Sequence, residues 1–395
     1  MEADASQLRA IELICHAPFA VLTGGPGTGK STCLSLALDR LDREGERCAL
    51  AAPTGKAARR MSEATGRPAS TIHRLLGWTP LGWKHDRSNP LPFDTVIVDE
   101  ASMLDIELAE SLVEALAYDT RLVFVGDANQ LPSVGPGQML ADLVKSEVVP
   151  MARLTRVHRA AAESWICRNA PLVLEGSELE LEETHDFRFF EAEDADDVAR
   201  LVCDVSVIPE FRGAQVLTPQ RTTACGVEAL NTRLQVQLNP RVGDDPEWLI
   251  GERAFRKNDR VIQTVNDYTL DVFNGEVGEV ISIDNTVLIV DFGDRAVTYT
   301  KNTVLNLQLA YALTVHRCQG SEFPWVICVV HSAHSFMLTR QLFYTAITRA
   351  KKGVVLIGNR RGIAAATSAR EPPKRNTALI ERMREQVVLP RKEPS

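Results

Sequence analysis

The chain contains 395 residues, 45% of them hydrophobic and 24% charged, which is the composition of an ordinary globular protein and excludes a disordered one. Its length predicts two or three domains. The 44 basic and 52 acidic residues give a net charge of -8, which at first argues against binding to nucleic acid, because surfaces that bind nucleic acid are usually basic.

The negative charge is concentrated in one segment. Residues 175–197 contain eleven acidic residues and one basic residue, Arg188, and so carry a net charge of -10. The rest of the chain carries a net charge of +2. The overall charge therefore describes this acidic segment and says little about the other surfaces.

The cysteines and the N-terminus indicate the compartment. None of the eight cysteines forms a pair at the C-x-x-C spacing of zinc sites, so reduced thiols in a cytosolic protein are the simplest interpretation. The acidic N-terminus lacks the pattern of a signal peptide, and no apolar run approaches the roughly 20 residues that span a bilayer. We therefore expect a cytoplasmic protein.

The order of predicted elements indicates an α/β protein with parallel sheets. Short apolar or β-branched runs bounded by turn residues predict buried strands at residues 19–22, 48–52, 95–98, 122–125, 326–330 and 354–357. Apolar residues at helical spacing, as in residues 108–116, lie between the strands. A basic tail with a short helix from Asn376 onward is expected at the C-terminus.

Residues 271–300 have a different pattern. Apolar residues recur in short stretches that are interrupted by Asn274–Gly275, Asp284–Asn285 and Gly293–Asp294. Such dipeptides are typical of tight turns between antiparallel strands. We expect a small antiparallel β module inserted in a larger α/β domain.

A phosphate-binding loop follows the first predicted strand. Residues 24–31 read GGPGTGKS and fit G-x-x-x-x-G-K-[ST], and a helix is predicted from Thr32 onward. Glycines allow the backbone N–H groups to surround phosphates, Lys30 is expected to reach the β and γ phosphates of a nucleotide, and the Ser31 hydroxyl to bind Mg²⁺. The expected nucleotide contacts are Gly25, Pro26, Gly27, Thr28, Gly29, Lys30, Ser31 and Thr32.

Acidic and polar residues follow two further strands. Asp99 and Glu100 come directly after the strand at 95–98, and we expect Asp99 to reach the Mg²⁺ shell and Glu100 to orient or deprotonate water. A polar cluster from Gly126 to Gln130 follows the strand at 122–125, and Gln130 is a candidate sensor of the γ phosphate. Ligands of parallel sheets bind at the carboxyl ends of the strands, where all of these residues are predicted to lie.

These residues and further stretches of the chain resemble the motifs of superfamily 1 helicases, and they occur in the order expected for that family. The matching stretches are residues 52–58 (motif Ia), 70–76 (Ib), 99–102 (II), 126–132 (III), 309–323 (V) and 344–351 (VI). The sequences of residues 130–132, 266–275 and 316–322 are most similar to those of the RecD-like, class B branch. Together with the phosphate-binding loop, the stretches are distributed along most of the chain, from residue 24 to residue 351.

The resemblance implies two RecA-like domains that hold ATP between them. It predicts a first domain at residues 1–150 and a second at 151–268 and 307–395. By motif position it assigns Arg349 and Arg159 as arginines that contact the γ phosphate, Gln7 as a reader of adenine, and Gly320 and Glu322 as further nucleotide contacts. Ala160 stands where the branch usually has glutamine, and Arg317–Cys318 where lysine and serine are usual.

The resemblance also implies contacts with single-stranded DNA. The candidates are Thr54, Lys56, Thr71, His73, Asn266, Thr314 and His316. Residues 77–92 lie where this branch carries a hairpin pin that splits the duplex, so that Trp78 and Trp83 are candidates for stacking on the terminal base pair. Residues 269–306 are expected to form the small β-barrel of the branch. The acidic segment lies outside all these stretches, and we interpret it as a solvated face that repels phosphate.

The leading hypothesis is therefore an ATP- and Mg²⁺-dependent DNA helicase that moves 5' to 3', acts as a monomer on single strands and single-strand/duplex junctions, and belongs to a bacterium or a phage-infected cell. The polarity follows from the resemblance alone. An RNA helicase, a translocase that does not unwind, a P-loop phosphotransferase without motor activity and a catalytically silent DNA-binding subunit are the alternatives. Only six residues precede Gln7, which suggests either a minimal enzyme or a trimmed core.

Overall fold

The computed structural model describes residues 4–157, 163–243, 245–251, 253–267, 269–293, 295–368 and 375–388. Arg159 lies outside these residues. The chain divides into two compact units: the first comprises residues up to 163 together with those after 370, and the second comprises residues 164–370. Within the described residues, no helix combines the length and the apolar character needed to cross a membrane.

The first unit is built on a parallel six-stranded sheet. Its strands are β1 (Phe19–Gly24), β2 (Cys48–Ala52), β3 (Ala69–Thr71), β4 (Thr95–Val98), β5 (Arg121–Gly126) and β6 (Met151–Leu154). Their order is β3-β2-β4-β5-β1-β6, and every pairing is parallel. The four strands predicted for this unit are confirmed. The inner strands are almost wholly apolar because helices cover both faces of the sheet.

Helices cover the two faces of this sheet with separate apolar clusters. They are α1 (Ala5–His16), α2 (Lys30–Arg43), α3 (Gly55–Thr65), α4 (Ile72–Leu75), α5 (Ile106–Glu114) and α6 (Met139–Ser146). Leu22 of β1 packs with residues of α1 and α2, whereas its neighbour Val21 packs with residues of α5 and α6. This alternation along one strand fixes which side of the sheet each helix covers.

The insertion at residues 77–92 does not form a regular hairpin. It consists of two successive tight turns, each closed by one antiparallel bridge, Thr79 with Gly82 and Asp86 with Asn89. The Asp86 side chain accepts hydrogen bonds from the backbone of Ser88 (2.8 Å) and Asn89 (3.1 Å) and so forms the second turn.

The second unit contains a parallel five-stranded sheet. Its strands are β7 (Phe187–Glu191), β8 (Gln215–Thr218), β16 (Ala312–Thr314), β17 (Phe323–Val330) and β18 (Ala350–Gly358), in the order β16-β8-β17-β18-β7. The helices are α7 (Trp165–Glu175), α8 (Ala195–Ser206), α9 (Val227–Leu238), α10 (Arg340–Ile347) and α11 (Arg360–Thr367). The strands predicted at 326–330 and 354–357 are confirmed within β17 and β18.

An antiparallel β module interrupts this unit between α9 and β16. Its strands are β9 (Glu247–Ile250), β10 (Arg253–Arg256), β11 (Arg260–Gln263), β12 (Val277–Ile283), β13 (Leu288–Asp291), β14 (Ala296–Tyr299) and β15 (Leu307–Leu309). Five of them form the sheet β14-β13-β12-β11-β15, and β9 pairs with β10. The expected start at residue 269 is therefore wrong, because β11 pairs with both β12 and β15 and belongs to the same sheet.

The acidic segment is a solvated face with one exception. Ten of its eleven carboxylates are exposed, whereas Asp186 is buried. Asp186 accepts hydrogen bonds from the Ser164 hydroxyl (2.7 Å) and the Trp165 backbone N–H (3.1 Å) at the start of α7. It therefore stabilises a helix terminus, which spacing along the chain does not reveal.

The C-terminal helix α12 (Leu379–Val388) packs on α6 of the first unit, which corrects its assignment to the second domain. The Arg375 guanidinium, just before it, donates hydrogen bonds to the carbonyls of Ser133 (2.9 Å), Gly135 (2.9 Å) and Gly137 (2.6 Å). Thr377 adds a bond from its hydroxyl to the Asp142 carboxylate (2.6 Å). Together these contacts attach the segment to the loop that follows Gln130 and to α6.

Replacement of Arg375 by alanine removes a donor that serves three carbonyls of one loop. We expect the opening free energy of residues 131–138 to fall by about 1–2 kcal/mol, because the lost hydrogen bonds involve a charged donor. Hydrogen exchange followed by mass spectrometry measures this change as faster exchange in that loop. Arg382→Ala, an exposed position on α12, is the matched control. Equal protection of residues 131–138 from hydrogen exchange in both variants would show that Arg375 does not stabilise this loop.

Candidate functional site

Three neighbouring strands bring the predicted nucleotide residues of the first unit to one edge of the sheet. β1, β5 and β4 are adjacent, and Thr23 of β1 lies in register with Gly126 of β5. The phosphate-binding loop, the acidic pair and the polar cluster each begin where one of these strands ends. The Ala128 N–H donates to the Thr23 hydroxyl (3.4 Å), which links the loop after β5 to the end of β1.

The phosphate-binding loop has the backbone that its glycines were predicted to allow. Gly27 (φ 70°) and Gly29 (φ 87°) adopt left-handed conformations, and Gly29 precedes α2 with no side chain capping the helix. Lys30 donates from Nζ to the carbonyls of Gly24 (2.6 Å) and Gly25 (3.0 Å). The lysine cation therefore already lies at the loop, and the open N-terminus of α2 provides N–H groups for an anion.

The acidic pair lies at the end of β4 in a largely buried turn. Glu100 is 5% exposed, and its backbone N–H donates to the Asp99 carboxylate (2.8 Å). Burial, and next the negative charge of Glu100, raise the pKa of Asp99 to about 6. Glu100 has a left-handed backbone (φ 51°), which is uncommon for a residue other than glycine and is held by its surroundings.

One basic side chain contacts this pair. The Arg60 guanidinium, on α3, donates from Nη2 to the Glu100 carboxylate at 2.8 Å. Its positive charge also lowers the pKa of Asp99, as the charge of Lys30 does to a smaller degree, although burial outweighs both. Sequence reasoning did not identify Arg60, because nothing in the spacing of α3 indicates which side chain reaches the end of β4.

The polar cluster after β5 is buried. Asp127 is 1% exposed and Gln130 is 9% exposed, and the Gln130 amide donates to the Asp127 carboxylate at 3.5 Å. Asp127 also accepts a hydrogen bond from the Asn129 backbone N–H (3.0 Å). The carboxylate thereby fixes the turn that holds Gln130.

The donor set suits Mg²⁺. Asp99 and Glu100 share a buried turn in which the pKa of Asp99 is raised, and a divalent cation would relieve this. Hydroxyl and carboxylate oxygens such as those of Ser31 and Asp99 are the ligands that Mg²⁺ prefers. Among the described residues, no group of three or more His, Cys, Asp or Glu side chains is arranged to hold a metal ion. Such a group is not required here, because Mg²⁺ at phosphate sites takes one or two protein ligands with the phosphates and water.

The DNA candidates of the first unit lie at the starts of helices. Thr54 caps α3 by accepting from the Ala57 N–H (3.2 Å), and Thr71 caps α4 by accepting from the Arg74 N–H (3.1 Å). Lys56 lies in the first turn of α3 and is half-buried. Burial lowers the pKa of His73 and so favours its neutral imidazole.

The two tryptophans of the insertion differ in exposure. Trp83 packs against the His73 ring with centroids 5.5 Å apart and borders the apolar core, which leaves less of it available for stacking than expected. Trp78 is 38% exposed. Leu81, at the tip of the first turn, is fully exposed and was not singled out from the sequence.

The candidates of the second unit lie in and around the loop after β16. Thr314 is the last residue of β16, His316 begins a short 3-10 helix, and Gly320 has a left-handed backbone (φ 71°). Glu322 forms an ion pair with Lys351 at 3.3 Å. Asn266 lies apart from them in the β module, where its side chain accepts from the Asn274 N–H (2.9 Å).

Two predicted nucleotide contacts are engaged within their own units. Arg349 is 2% exposed and donates to the carbonyls of Thr345 (3.2 Å) and Ser321 (3.3 Å). Gln7 is 4% exposed, and its side-chain oxygen accepts from the Asp4 N–H (3.0 Å) in a capping box at the start of α1.

Asp99→Asn tests the electrostatic strain of the acidic pair. Because the folded-state pKa exceeds the ordinary value of 3.8, ionisation of Asp99 destabilises the fold as pH rises through about 4 to 6. At pH 7.5 without nucleotide or Mg²⁺, the variant is expected to be more stable by on the order of 1–2 kcal/mol, and this gain disappears below about pH 4. Thermal unfolding across this pH range measures it, with Asp119→Asn on the exposed surface as the control. A variant with unchanged stability at both pH values would show that the pair is not strained.

Three family descriptions match successive parts of the chain. Residues 7–136 match an AAA domain, residues 230–292 match the SH3 domain of ATP-dependent RecD-like DNA helicases, and residues 309–357 match a UvrD-like helicase C-terminal domain. The SH3 match begins before β9 and contains β11, so it also includes strands that precede residue 269.

Known proteins match over nearly the whole chain. The ATP-dependent RecD2 DNA helicase of Deinococcus radiodurans is 42% identical over 96% of this chain, which spans 52% of that protein. The RecBCD enzyme subunit RecD of Mycolicibacterium smegmatis is 33% identical over 96% of this chain and 74% of the subunit. The chain thus spans about half of the first relative and about three quarters of the second.

Solved structures support the fold. The Pif1 helicase from Bacteroides, in complex with ADP-AlF3 and single-stranded DNA, superposes with a TM-score of 0.59 at 20% identity and covers 98% of both chains. The Pif1 helicase of Candida albicans gives 0.56 at 18% identity, with 98% of this chain and 99% of that chain covered. Because the RecD subunit is 33% identical and about three quarters of its length is matched, the chain belongs to the RecD-like family of superfamily 1 helicases.

Proposed function

We propose that the chain is an ATP-dependent DNA helicase that moves 5' to 3' along single-stranded DNA and separates duplexes. The observation that carries the proposal is the meeting of the phosphate-binding loop and the Asp99–Glu100 pair at adjacent strand ends, in a chain of the RecD-like family. The polarity follows from that family and not from any distance in the site. Action as a monomer and in the cytoplasm is part of the same proposal.

The proposed chemistry assigns one task to each side chain. Lys30 leaves the carbonyls of Gly24 and Gly25 and contacts the β and γ phosphates of ATP. Ser31 and Asp99 hold Mg²⁺, which when bound neutralises charge on the phosphate oxygens. Glu100 orients the attacking water and accepts its proton, and Gln130 responds to the γ phosphate.

Five further residues are proposed to contact the nucleotide. Arg349 is proposed to stabilise negative charge on the γ phosphate, which requires its guanidinium to exchange the carbonyls of Thr345 and Ser321 for phosphate oxygens. Arg159 is proposed for the same task from its motif position alone. Gly320, Glu322 and the Gln7 amide are proposed to contact the nucleotide.

Single-stranded DNA is proposed to bind through short polar side chains at loop and helix starts. The candidates are Thr54, Lys56, Thr71, His73, Asn266, Thr314 and His316. Hydroxyls, imidazoles and backbone N–H groups bind phosphates without reading sequence, as a translocating protein requires. The exposed carboxylates of residues 175–197 repel phosphate and are proposed to lie outside the DNA path.

Unwinding of partial duplexes tests activity, substrate and polarity together. With ATP and Mg²⁺, a duplex with a 5' single-stranded tail is expected to be unwound, whereas one with only a 3' tail is not. Unwinding of the 3'-tailed duplex alone would reverse the polarity. ATPase stimulation by single-stranded RNA and not by DNA would identify an RNA helicase, and stimulation by DNA without strand separation would identify a translocase.

Glu100→Gln tests the assignment of the general base. The amide keeps the size of the side chain but cannot accept a proton, so we expect kcat for single-strand-stimulated ATP hydrolysis to fall by about 10²–10⁴-fold. Binding of a fluorescent ATP analogue is expected to change little, because Lys30 and the loop backbone remain. The control is Glu63→Gln, a carboxylate of α3 whose partner is the exposed Arg59. Wild-type turnover in Glu100→Gln would remove Glu100 from the mechanism.

The insertion at residues 77–92 is proposed to separate the strands through its exposed apolar tip. Combined Trp78→Ala and Leu81→Ala substitutions are expected to reduce duplex unwinding about tenfold and to leave single-strand-stimulated ATPase activity intact, because both side chains are exposed. Trp83→Ala is instead expected to destabilise the first unit, since Trp83 packs against His73 and the core. Full unwinding by the double variant would show that the tip does not act as the pin.

A further inference from the structure

Arg60 connects the helix of motif Ia with the carboxylate of motif II. α3 begins directly after Thr54, and Arg60 lies four residues after Lys56, so Lys56 and Arg60 occupy the same face of the helix. Thr54 and Lys56 are proposed DNA contacts, whereas Arg60 donates to Glu100 at 2.8 Å. One helical face therefore carries residues directed to DNA phosphates at one end and to the catalytic carboxylate at the other.

The observed contact occupies one carboxylate oxygen of Glu100, the proposed general base. The Glu100 side chain is 7% exposed and the Arg60 side chain 26% exposed, so the pair is only partly screened by solvent. A carboxylate oxygen that accepts a hydrogen bond from a guanidinium is held in one orientation and has fewer lone pairs available for water. The left-handed backbone of Glu100 and the bond from its N–H to Asp99 add to this restraint.

The helix that carries Arg60 can transmit a displacement. Ala57, Ala58 and Met61 are buried, so α3 packs as a rigid element against its surroundings. The Thr54 hydroxyl accepts from the Ala57 N–H (3.2 Å), which couples the position of Thr54 to the first turn of the helix. A phosphate that engages Thr54 and Lys56 therefore acts on the same element that places the Arg60 guanidinium.

We propose that Arg60 is a positioning residue that holds Glu100 away from the attacking water in the DNA-free protein and releases it when single-stranded DNA engages the start of α3. The inference rests on the proposed function, because it assigns the DNA stimulation of ATP hydrolysis to this ion pair. Arg60 thereby suppresses ATP hydrolysis that is not coupled to movement on DNA. Its loss raises the DNA-independent rate and lowers the stimulation ratio.

The first test measures ATP turnover with and without single-stranded DNA. Arg60→Met keeps the aliphatic stem and removes the guanidinium, and it is expected to raise DNA-independent kcat by about 5–50-fold while DNA-stimulated kcat changes less than threefold. Arg60→Lys retains a cation and is expected to restore part of the stimulation ratio. Arg59→Ala removes a charge from the same helix, where Arg59 pairs with Glu63 on the surface, and is the matched control that leaves both rates unchanged.

A damaged fold would lower turnover and not raise it. A rise in DNA-independent turnover therefore distinguishes the proposed positioning role of Arg60 from a purely structural role. Unchanged or reduced DNA-independent turnover in Arg60→Met, with wild-type protein that DNA stimulates, overturns the inference. If Arg60→Met does not fold by circular dichroism, Arg60→Gln answers the same question with a polar side chain. Wild-type protein with no DNA-stimulated hydrolysis would instead overturn the proposed function.

The second test uses the reciprocity of coupled equilibria. If DNA binding must break the Arg60–Glu100 pair, removal of the pair is expected to tighten nucleotide-free binding of single-stranded DNA by about 3–10-fold. Fluorescence anisotropy with a labelled oligonucleotide measures this change, and Arg59→Ala is again the control. Weaker binding by Arg60→Met would show that Arg60 is itself a DNA contact and would overturn the proposed switch.

Discussion

The adjacency of β4, β5 and β1 is the constraint on which the candidate site depends. Because all three strands are parallel, their carboxyl ends meet at one edge, and the loops that follow them converge although up to about a hundred residues separate them. Apolar clusters on both faces hold this arrangement rigid. The sheet therefore brings the glycine loop with its lysine to the same edge as two carboxylates, although these segments are far apart in the sequence.

The same rigidity concentrates unfavourable charge. Burial of the turn after β4 raises the pKa of Asp99, and Glu100 is fixed beside it in a left-handed backbone. Lys30 and Arg60 offset part of this negative charge, but each does so from a different loop or helix. A site with this much buried negative charge is strained, and nearby cations relieve that strain.

Most of the secondary structure was predictable because its signals are local. The strand at 48–52 and the strand at 95–98 agree with the structure to the residue, since buried parallel strands are continuous apolar runs with sharp ends. The start of the β module was placed too late, because β11 has the same apolar appearance as a strand of the parallel sheet and only its antiparallel partners distinguish it. The C-terminal helix was assigned to the wrong unit, because amphipathic spacing defines a helix but not the surface that it covers.

The sequence by itself determined the family and the strand ends that carry the phosphate-binding loop and the acidic pair, since both depend on residue types at fixed spacing. Tertiary structure alone decided which side chains face them: Arg60 on Glu100, Arg375 on the loop after Gln130, and Asp186 at the start of α7. It also decided that Trp83 is packed against His73 whereas Leu81 is exposed. The physical reason is that the residues next to a charged or aromatic side chain do not indicate its partner. Packing between segments that are distant in the chain determines that partner.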